Sequence, residues 1–307
     1  MAQHRTPRKG RDIIIPVMGA TGAGKSYFIN TLLRATGNKE VAIVGSELNS
    51  CTVDLLPVRI KGLSSKYEAL EEGDVILVDS PGFDDTRDSD IEILKRIAKW
   101  LKKSCKEGAM LGGVIYVHDI SQDRFSTTAR KNLEMFQHLC GDFALHKVML
   151  LTSKWGRESG RDFGAREKEL CDRHWRSMLE GKARSMRFGG KKEGLEESAV
   201  RIVDSILRQA AGSSLLADVL QIQEELVHQK KFLPQTQAAK ALREQLEGVI
   251  QAQNEMLRIE ARAVEGDPEA EAQLRAEEAK LRRLTGDIRS LKLSVPQRLQ
   301  LLLRRWF

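Results

Sequence analysis

Gly19-Ala20-Thr21-Gly22-Ala23-Gly24-Lys25-Ser26 fills the pattern G-x-x-x-x-G-K-[ST]. The apolar run Ile13-Ile14-Ile15-Pro16-Val17-Met18 leads into it, and a helix-forming stretch from Lys25 to Leu33 leads out. Strand, glycine-rich loop and helix in that order make a phosphate-binding loop. The glycines let the backbone wind until successive N–H groups face phosphate oxygens, and the helix N-terminus adds its dipole. Residues 19–26, with Tyr27 next on the helix, are therefore the expected nucleotide contacts. Lys25 is expected to bridge the outer phosphates, and Ser26 to ligate Mg²⁺ through its hydroxyl.

Around this loop the first two-thirds of the chain alternates short apolar runs with helix-like stretches, the pattern of an α/β fold. Strands are expected at 13–18, 53–60, 74–79, 112–118, 147–152 and 184–188. Helices are expected at 25–35, 89–104, 126–139, 161–180 and 194–211. Pro16 conflicts with this scheme, because a proline gives no ladder N–H and is awkward in a central strand. A bulge, or pairing on one side only, would reconcile it.

Composition changes near Gly212-Ser213-Ser214. Beyond it the chain is rich in Ala, Glu, Gln, Leu, Lys and Arg. Leu242, Leu246, Val249 and Ile250 share one helical face, and Leu281, Leu284, Ile288, Leu291 and Val295 step by three and four. Gly266-Asp267-Pro268 lies between them, with Asp267 suited to cap a helix and Pro268 to begin one. An antiparallel helical hairpin follows, with an earlier break at Leu233-Pro234. The organisation expected is a disordered lead-in at 1–11, a nucleotide-binding domain at 12–212 and a helical, coiled-coil-like extension at 213–307. The terminal Leu301-Leu302-Leu303-Arg304-Arg305-Trp306-Phe307 is apolar and basic; packing in a groove is favoured over lying on a membrane surface.

Bulk properties exclude several classes. No apolar run reaches the roughly 20 residues that span a bilayer, and residues 1–11 lack the apolar core of a secretory signal. Cys51, Cys105, Cys140 and Cys171 are scattered, with no C-x-x-C pair, which argues against a zinc site or disulfide framework and for a cytoplasmic setting. A net charge of +7 raises nucleic acid as a partner, but the basic residues interleave with acidic ones and aromatics are only 5%. Stacking platforms for single strands need more of them, so no nucleic-acid partner is expected.

A second motif, Asp79-Ser80-Pro81-Gly82, follows the apolar run Val75-Ile76-Leu77-Val78. Alone it reads as a turn; one strand after a phosphate loop it reads as a nucleotide switch. In P-loop GTPases an Asp here holds Mg²⁺, often through water, and the Gly N–H meets the γ-phosphate. Thr52, between the two motifs, is the natural candidate to complete the Mg²⁺ shell. The extended string Asp79-Ser80-Pro81-Gly82-Phe83-Asp84-Asp85-Thr86, with residues 19–26, resembles the septin-related GTPases. Within them it is most similar to the immunity-associated (avirulence-induced) nucleotide-binding proteins and their fungal G-domain relatives. Tyr116-Val117-His118-Asp119-Ile120-Ser121 and Leu150-Leu151-Thr152-Ser153-Lys154-Trp155 resemble the fungal members. The resemblance spans about Asp12 to Ala211. It implies a three-layer GTPase domain, mostly parallel in its sheet, that binds GTP and GDP with Mg²⁺. It further implies slow hydrolysis and nucleotide-controlled dimerisation across the G-domain face.

Two departures matter. Guanine is normally read by the Asp of Asn/Thr-Lys-x-Asp, whereas this chain has Thr152-Ser153-Lys154-Trp155-Gly156. Aligned on Thr152, Trp155 takes the Asp position; aligned on Lys154, Gly156 does. Losing a buried polar reader removes discrimination on the order of 10⁴. Trp155 stacking on either purine is one alternative, a packed core tryptophan another; Glu158 or Asp162 is a possible replacement carboxylate. Second, the Gln that orients water in many GTPases is replaced by Phe83, leaving Asp84, Asp85 and Arg87 nearby. Lys25, Thr52 and Gly82 are the expected catalytic set. Arg124 reads first as a surface ion-pair former and second as a trans-acting group; His118 reads as structural.

Three functions compete. The leading one is a GTP-driven switch for self-association or for a protein partner bound by the C-terminal helices, cytoplasmic or peripheral to a membrane. The others are a nucleotide-binding scaffold or purine-tolerant NTPase, and a small-molecule kinase, the last disfavoured by the lack of an arginine-rich lid.

Overall fold

The computed structural model describes residues 11–38, 55–61, 63–67, 70, 73–83, 89–157, 163–190, 194–212, 218–263, 268–294, 296–297 and 300. Strand β1 (Ile13–Gly19) is buried along its whole length, as expected of a strand covered on both faces. It is followed by α1 (Lys25–Ala35), β2 (Leu56–Ile60), β3 (Val75–Asp79), α2 (Asp90–Lys106), β4 (Met110–Leu111) and β5 (Val114–Asp119). Then come α3 (Thr127–Cys140), β6 (Val148–Ser153), α4 (Gly164–Glu169), α5 (Arg176–Glu180), β7 (Arg184–Arg187) and α6 (Leu195–Ala211). The sheet order is β2-β3-β1-β5-β6-β7, with β4 also paired to β1. Among the described strands only the β2–β3 pairing is antiparallel.

Pro16 is accommodated by a break in the neighbouring strand. Ile13 N and Val17 O bond toward β3, through Asp74 O and Ser80 N, while Ile14 O bonds toward the β4 side, through Gly112 N. Alternation then turns Pro16 toward β5. There the pairing passes from Ile14–Leu111 to Val17–Ile115, three residues against four, so the ladder is already irregular at Gly112 and Gly113, opposite the missing N–H. Both glycines are needed: a β-carbon at Gly112 would stand 2.6 Å from Ile13 Cγ2, and one at Gly113 would stand 2.7 Å from Ile206 Cγ2.

Two apolar clusters sandwich the sheet. Phe28, Ile29 and Leu32 of α1 with Ile202, Val203 and Ile206 of α6 cover one face. Ile93, Leu94, Ile97 and Leu101 of α2 with Leu133, Phe136 and Leu139 of α3 cover the other. The helix expected at 161–180 is interrupted. Between α4 and α5 the chain makes a π turn, in which Trp175 N donates to Leu170 O at 2.7 Å. The wider turn rotates Trp175 into the core, where it is fully buried.

The C-terminal helices continue the second cluster. A short helix α7 (Gln221–Gln223) and a π turn lead to α8 (Gln237–Ala263) and α9 (Pro268–Ser290). Leu220, Ile222, Leu226, Ala238, Ala239, Leu242 and Leu291 share one core with α2 and α3. Buried polar ties fix this docking. Lys147 Nζ donates to Leu111 O and Asp218 O, both at 2.9 Å, and Gln223 Nε2 donates to Leu101 O of α2 at 3.2 Å. Glu225, fully buried, accepts from Lys231 Nζ at 3.0 Å and from Gln237 N at 3.0 Å, placing its charge at the N-terminus of α8. Leu281 and Ile288 are buried where α9 packs along α8, while α8 is exposed all round over 251–256. The break at Leu233-Pro234 is a 3₁₀ turn, Leu233–Gln235. No described helix is long and apolar enough to cross a membrane. Residues 1–10, Gly266-Asp267 and 301–307 lie outside the described residues.

Candidate functional site

The loop at the end of β1 is shaped by glycines whose backbone other residues adopt only under strain. Gly19, Gly22 and Gly24 have φ of 139°, 74° and 97°. Gly19 is also sterically locked, since a β-carbon there would stand 2.3 Å from Val117 O of β5. Gly24 caps α1 without a side-chain bond, whereas α2 and α3 are capped by Ser89 and Ser126. No side chain thus competes for the N-terminus of α1, which is the anion site of such a loop. Ala20 and Thr21 form the outer turn, tied by Ala23 N donating to Ala20 O at 3.1 Å.

Lys25 is buried, and its Nζ donates to Gly19 O at 3.0 Å and Ala20 O at 2.9 Å. The ammonium is folded onto carbonyls of its own loop. On the next residue, Ser26 Oγ donates to Asp79 Oδ2 at 2.5 Å. Asp79 is fully buried at the end of β3. Residues 53 positions apart thus bring two oxygens together beside the loop. Among the described residues no group of three His, Cys, Asp or Glu side chains can hold a metal. The Ser–Asp pair fits Mg²⁺, which takes one or two protein oxygens and fills its octahedron with water and phosphate. Thr52, the third expected ligand, lies outside the described residues.

Gly82 presses directly on the phosphate loop. A β-carbon there would stand 2.4 Å from Thr21 N, 2.6 Å from Thr21 Oγ1 and 2.8 Å from Ala20 C. Ser80 anchors the same segment by donating Oγ to Val17 O at 2.9 Å. Phe83 is buried in the core cluster it shares with α2 and α3, and its carbonyl accepts from Asn132 Nδ2 at 3.2 Å. It brings no polar group to the phosphates. Asp84, Asp85 and Arg87 lie outside the described residues.

The far end of the site is built from the ends of β5 and β6. Ser153 Oγ donates to Ala23 O at 2.7 Å, tying β6 to the phosphate loop. Lys154 follows at φ 63°, and its Nζ donates to Asp119 Oδ2 at 2.7 Å. With Ser153 as the tether and Lys154 as the lysine, Gly156 stands where a base-reading Asp would. Among the described residues, a β-carbon at Gly156 meets nothing within 4 Å. Trp155 is held elsewhere: its Nε1 donates to Thr152 Oγ1 at 3.1 Å, its ring meets Phe163 edge-on, and the Arg187 guanidinium lies 4.3 Å from its centroid. This is the packed-tryptophan alternative. Tyr27 is 43% exposed on α1 and packs beside Phe188. Glu158 and Asp162 lie outside the described residues.

Asp119 was not legible as a site residue. It is buried at the end of β5; its Oδ1 accepts from Ser121 N at 2.9 Å and Ser121 Oγ at 2.6 Å, its Oδ2 from Lys154. Burial alone would raise its pKa, but the bonds from Lys154 and Ser121 outweigh it and hold the carboxyl below its ordinary range. Through Oδ2 the Asp119 carboxylate holds the Lys154 ammonium, so Asp119 positions Lys154 at the end of the site. The sequence signal was the Asp-x-Ser spacing of an Asx turn. His118 is buried against Phe125 and Trp175, and desolvation, reinforced by His174 and opposed by Asp119, lowers its pKa to about 4. It is a neutral structural residue here, and Arg124 is exposed on the turn after β5.

A seven-stranded sheet with one antiparallel edge, a phosphate loop after β1 and an Asp-x-x-Gly after β3 define the P-loop GTPase fold. Residues 14–151 match the family model described as 50S ribosome-binding GTPase. Similar solved structures include Toc33 from Arabidopsis thaliana in complex with GDP and Mg²⁺, at 13% identity over 65% of this chain and 85% of that one, TM-score 0.47. Another is Toc33 with Mg²⁺ and GMPPNP, at 13% identity, 66% and 86% coverage and TM-score 0.48. A third is elongation factor SelB from Methanococcus maripaludis, at 12% identity, 69% and 36% coverage and TM-score 0.40. No curated protein matches the chain.

Proposed function

We propose that this protein is a Mg²⁺-dependent GTP-binding switch with slow hydrolysis, a relative of the septin-related immunity-associated group, acting in the cytoplasm. The observation that carries the reading is the convergence of Lys25, Ser26, Asp79 and Gly82 on one loop. Lys25 is poised to leave its carbonyls for phosphate oxygens, and Ser26 and Asp79 to hold the metal. Mg²⁺ there would neutralise charge on the outer phosphates. Slow turnover follows from Phe83, whose side chain is committed to the core.

The switch output is a conformation. Phe83, next to Gly82, shares a core with α2, and α2 carries the C-terminal helices through that core and the Gln223–Leu101 bond. A change at the γ-phosphate therefore has a packed route to α7 and α8. Self-association across the G-domain face, with the α8–α9 hairpin free to meet a partner, is the consequence we assign to it. Light scattering on the nucleotide-free, GDP-bound and GTP-analogue-bound protein tests this. The switch predicts a dimer with the analogue alone and turnover per molecule rising with protein concentration. A monomer in all three states with flat turnover would sink it.

A second reading, a purine-tolerant NTPase, is favoured by Gly156, which brings no carboxylate to the position of a base-reading Asp. Equal GTP and ATP affinities would select it.

A further inference from the structure

One hydroxyl at the junction of the two phosphate-site motifs stands apart from its neighbours. Thr21 Oγ1 is closed to solvent and has no hydrogen-bond partner among the described residues. The hydroxyls around it are all engaged: Ser26 with Asp79, Ser80 with Val17 O, Ser153 with Ala23 O. Valine has nearly the same shape and would avoid leaving a buried polar group unpaired. Thr21 also touches the part of the site that senses the terminal phosphate, since a β-carbon on Gly82 would stand 2.6 Å from its Oγ1 and 2.4 Å from its N. The side chain following Gly82 cannot help, because Phe83 is buried in the core.

We infer that Thr21 Oγ1 is the side-chain donor that reads the terminal phosphate and lets the site distinguish a nucleoside triphosphate from a diphosphate. The inference rests on the nucleotide-binding reading above and adds to it a named discriminating group, where backbone N–H groups and Lys25 bind both states. A hydrogen bond from a neutral donor to a charged acceptor supports a discrimination of about 10- to 100-fold.

The test measures affinities of the full-length wild type, Thr21→Val and Thr21→Ser for GDP and for a non-hydrolysable GTP analogue, each with Mg²⁺. Thr21→Val is expected to lose about tenfold or more in analogue affinity and to keep its GDP affinity. Thr21→Ser, which keeps the hydroxyl, restores most of the loss. Without nucleotide, Thr21→Val should melt no lower than the wild type, because the hydroxyl it removes has no partner among the described residues. Unchanged analogue affinity in Thr21→Val overturns the inference, as does an equal loss for both nucleotides or a failure of Thr21→Ser to rescue. Wild-type protein that binds neither nucleotide overturns the underlying reading and this one with it.

Discussion

Replacing Gly82 by alanine adds one methyl group where the second motif presses on the phosphate loop. The new carbon would stand 2.4 Å from Thr21 N and 2.8 Å from Ala20 C, both backbone atoms of the phosphate loop. Neither can swing aside as a side-chain tip would. To reach even 3.0 Å, one segment must retreat by at least about 0.6 Å, and forced repacking of that kind typically costs about 1–3 kcal/mol. The catalytic consequence is larger, because a misplacement near 1 Å costs about 100-fold in rate. Gly82→Ala should therefore fold with a melting point lowered by a few degrees, keep most of its GDP affinity and lose about two orders of magnitude in GTP turnover. Gly156→Ala, whose added carbon meets no described residue within 4 Å, is the matched control and should change none of the three. Thermal unfolding, fluorescent-nucleotide titration and single-turnover hydrolysis read the three quantities. Turnover in Gly82→Ala within twofold of the wild type would refute the contact and the role drawn from it.

Three further expectations follow from the same geometry. Gly156→Asp places a carboxylate at the base-reading position, and should raise the GTP-to-ATP affinity ratio by about tenfold or more, one charged hydrogen bond being worth about 1.5–3 kcal/mol; an unchanged ratio in paired titrations would disprove the frame set by Ser153 and Lys154. His118 has a folded pKa near 4 against an ordinary 6.5, so the unfolded chain binds the extra proton first. Stability is then full above about pH 6.5 and falls as pH drops toward 4, by up to about 3 kcal/mol. Denaturant melts of His118→Gln should show that slope flattened, and an unaltered slope would count against a buried neutral His118. Removing residues 213–307 uncovers the α2 and α3 surface buried by Leu220, Ile222, Ala239 and Leu242; the truncated protein should aggregate or melt well below the full chain, and an equally stable monomer would contradict the shared core.

Much of this architecture was legible because local and global signals agree. Helix α1 falls where the loop motif places it, and each expected strand lies within a few residues of the observed one. Pro16 looked like a defect because the sequence cannot show that Gly112 and Gly113 interrupt the opposing strand where its N–H is missing. The single helix expected over 161–180 overlooked a π turn, whose cause is tertiary, the burial of Trp175. At the site, the loop and the Asp79–Gly82 motif were readable because contiguous residues carry their chemistry. Asp119 was not, since its value comes from a pairing with Lys154 across two strands, 35 residues apart. Trp155 was ambiguous for the same reason, its environment being set by Arg187 and Phe163 from other elements.

The central claim, that the convergence of Lys25, Ser26, Asp79 and Gly82 makes a guanine-nucleotide site, is tested most directly by calorimetric titration. Nucleotide-free protein would be titrated with GTP and with ATP, each with Mg²⁺, beside a Lys25→Ala control. Tight GTP binding, weaker ATP binding and loss of both in the control are the predicted result. Heat that is absent for both nucleotides, or unchanged in Lys25→Ala, would contradict it.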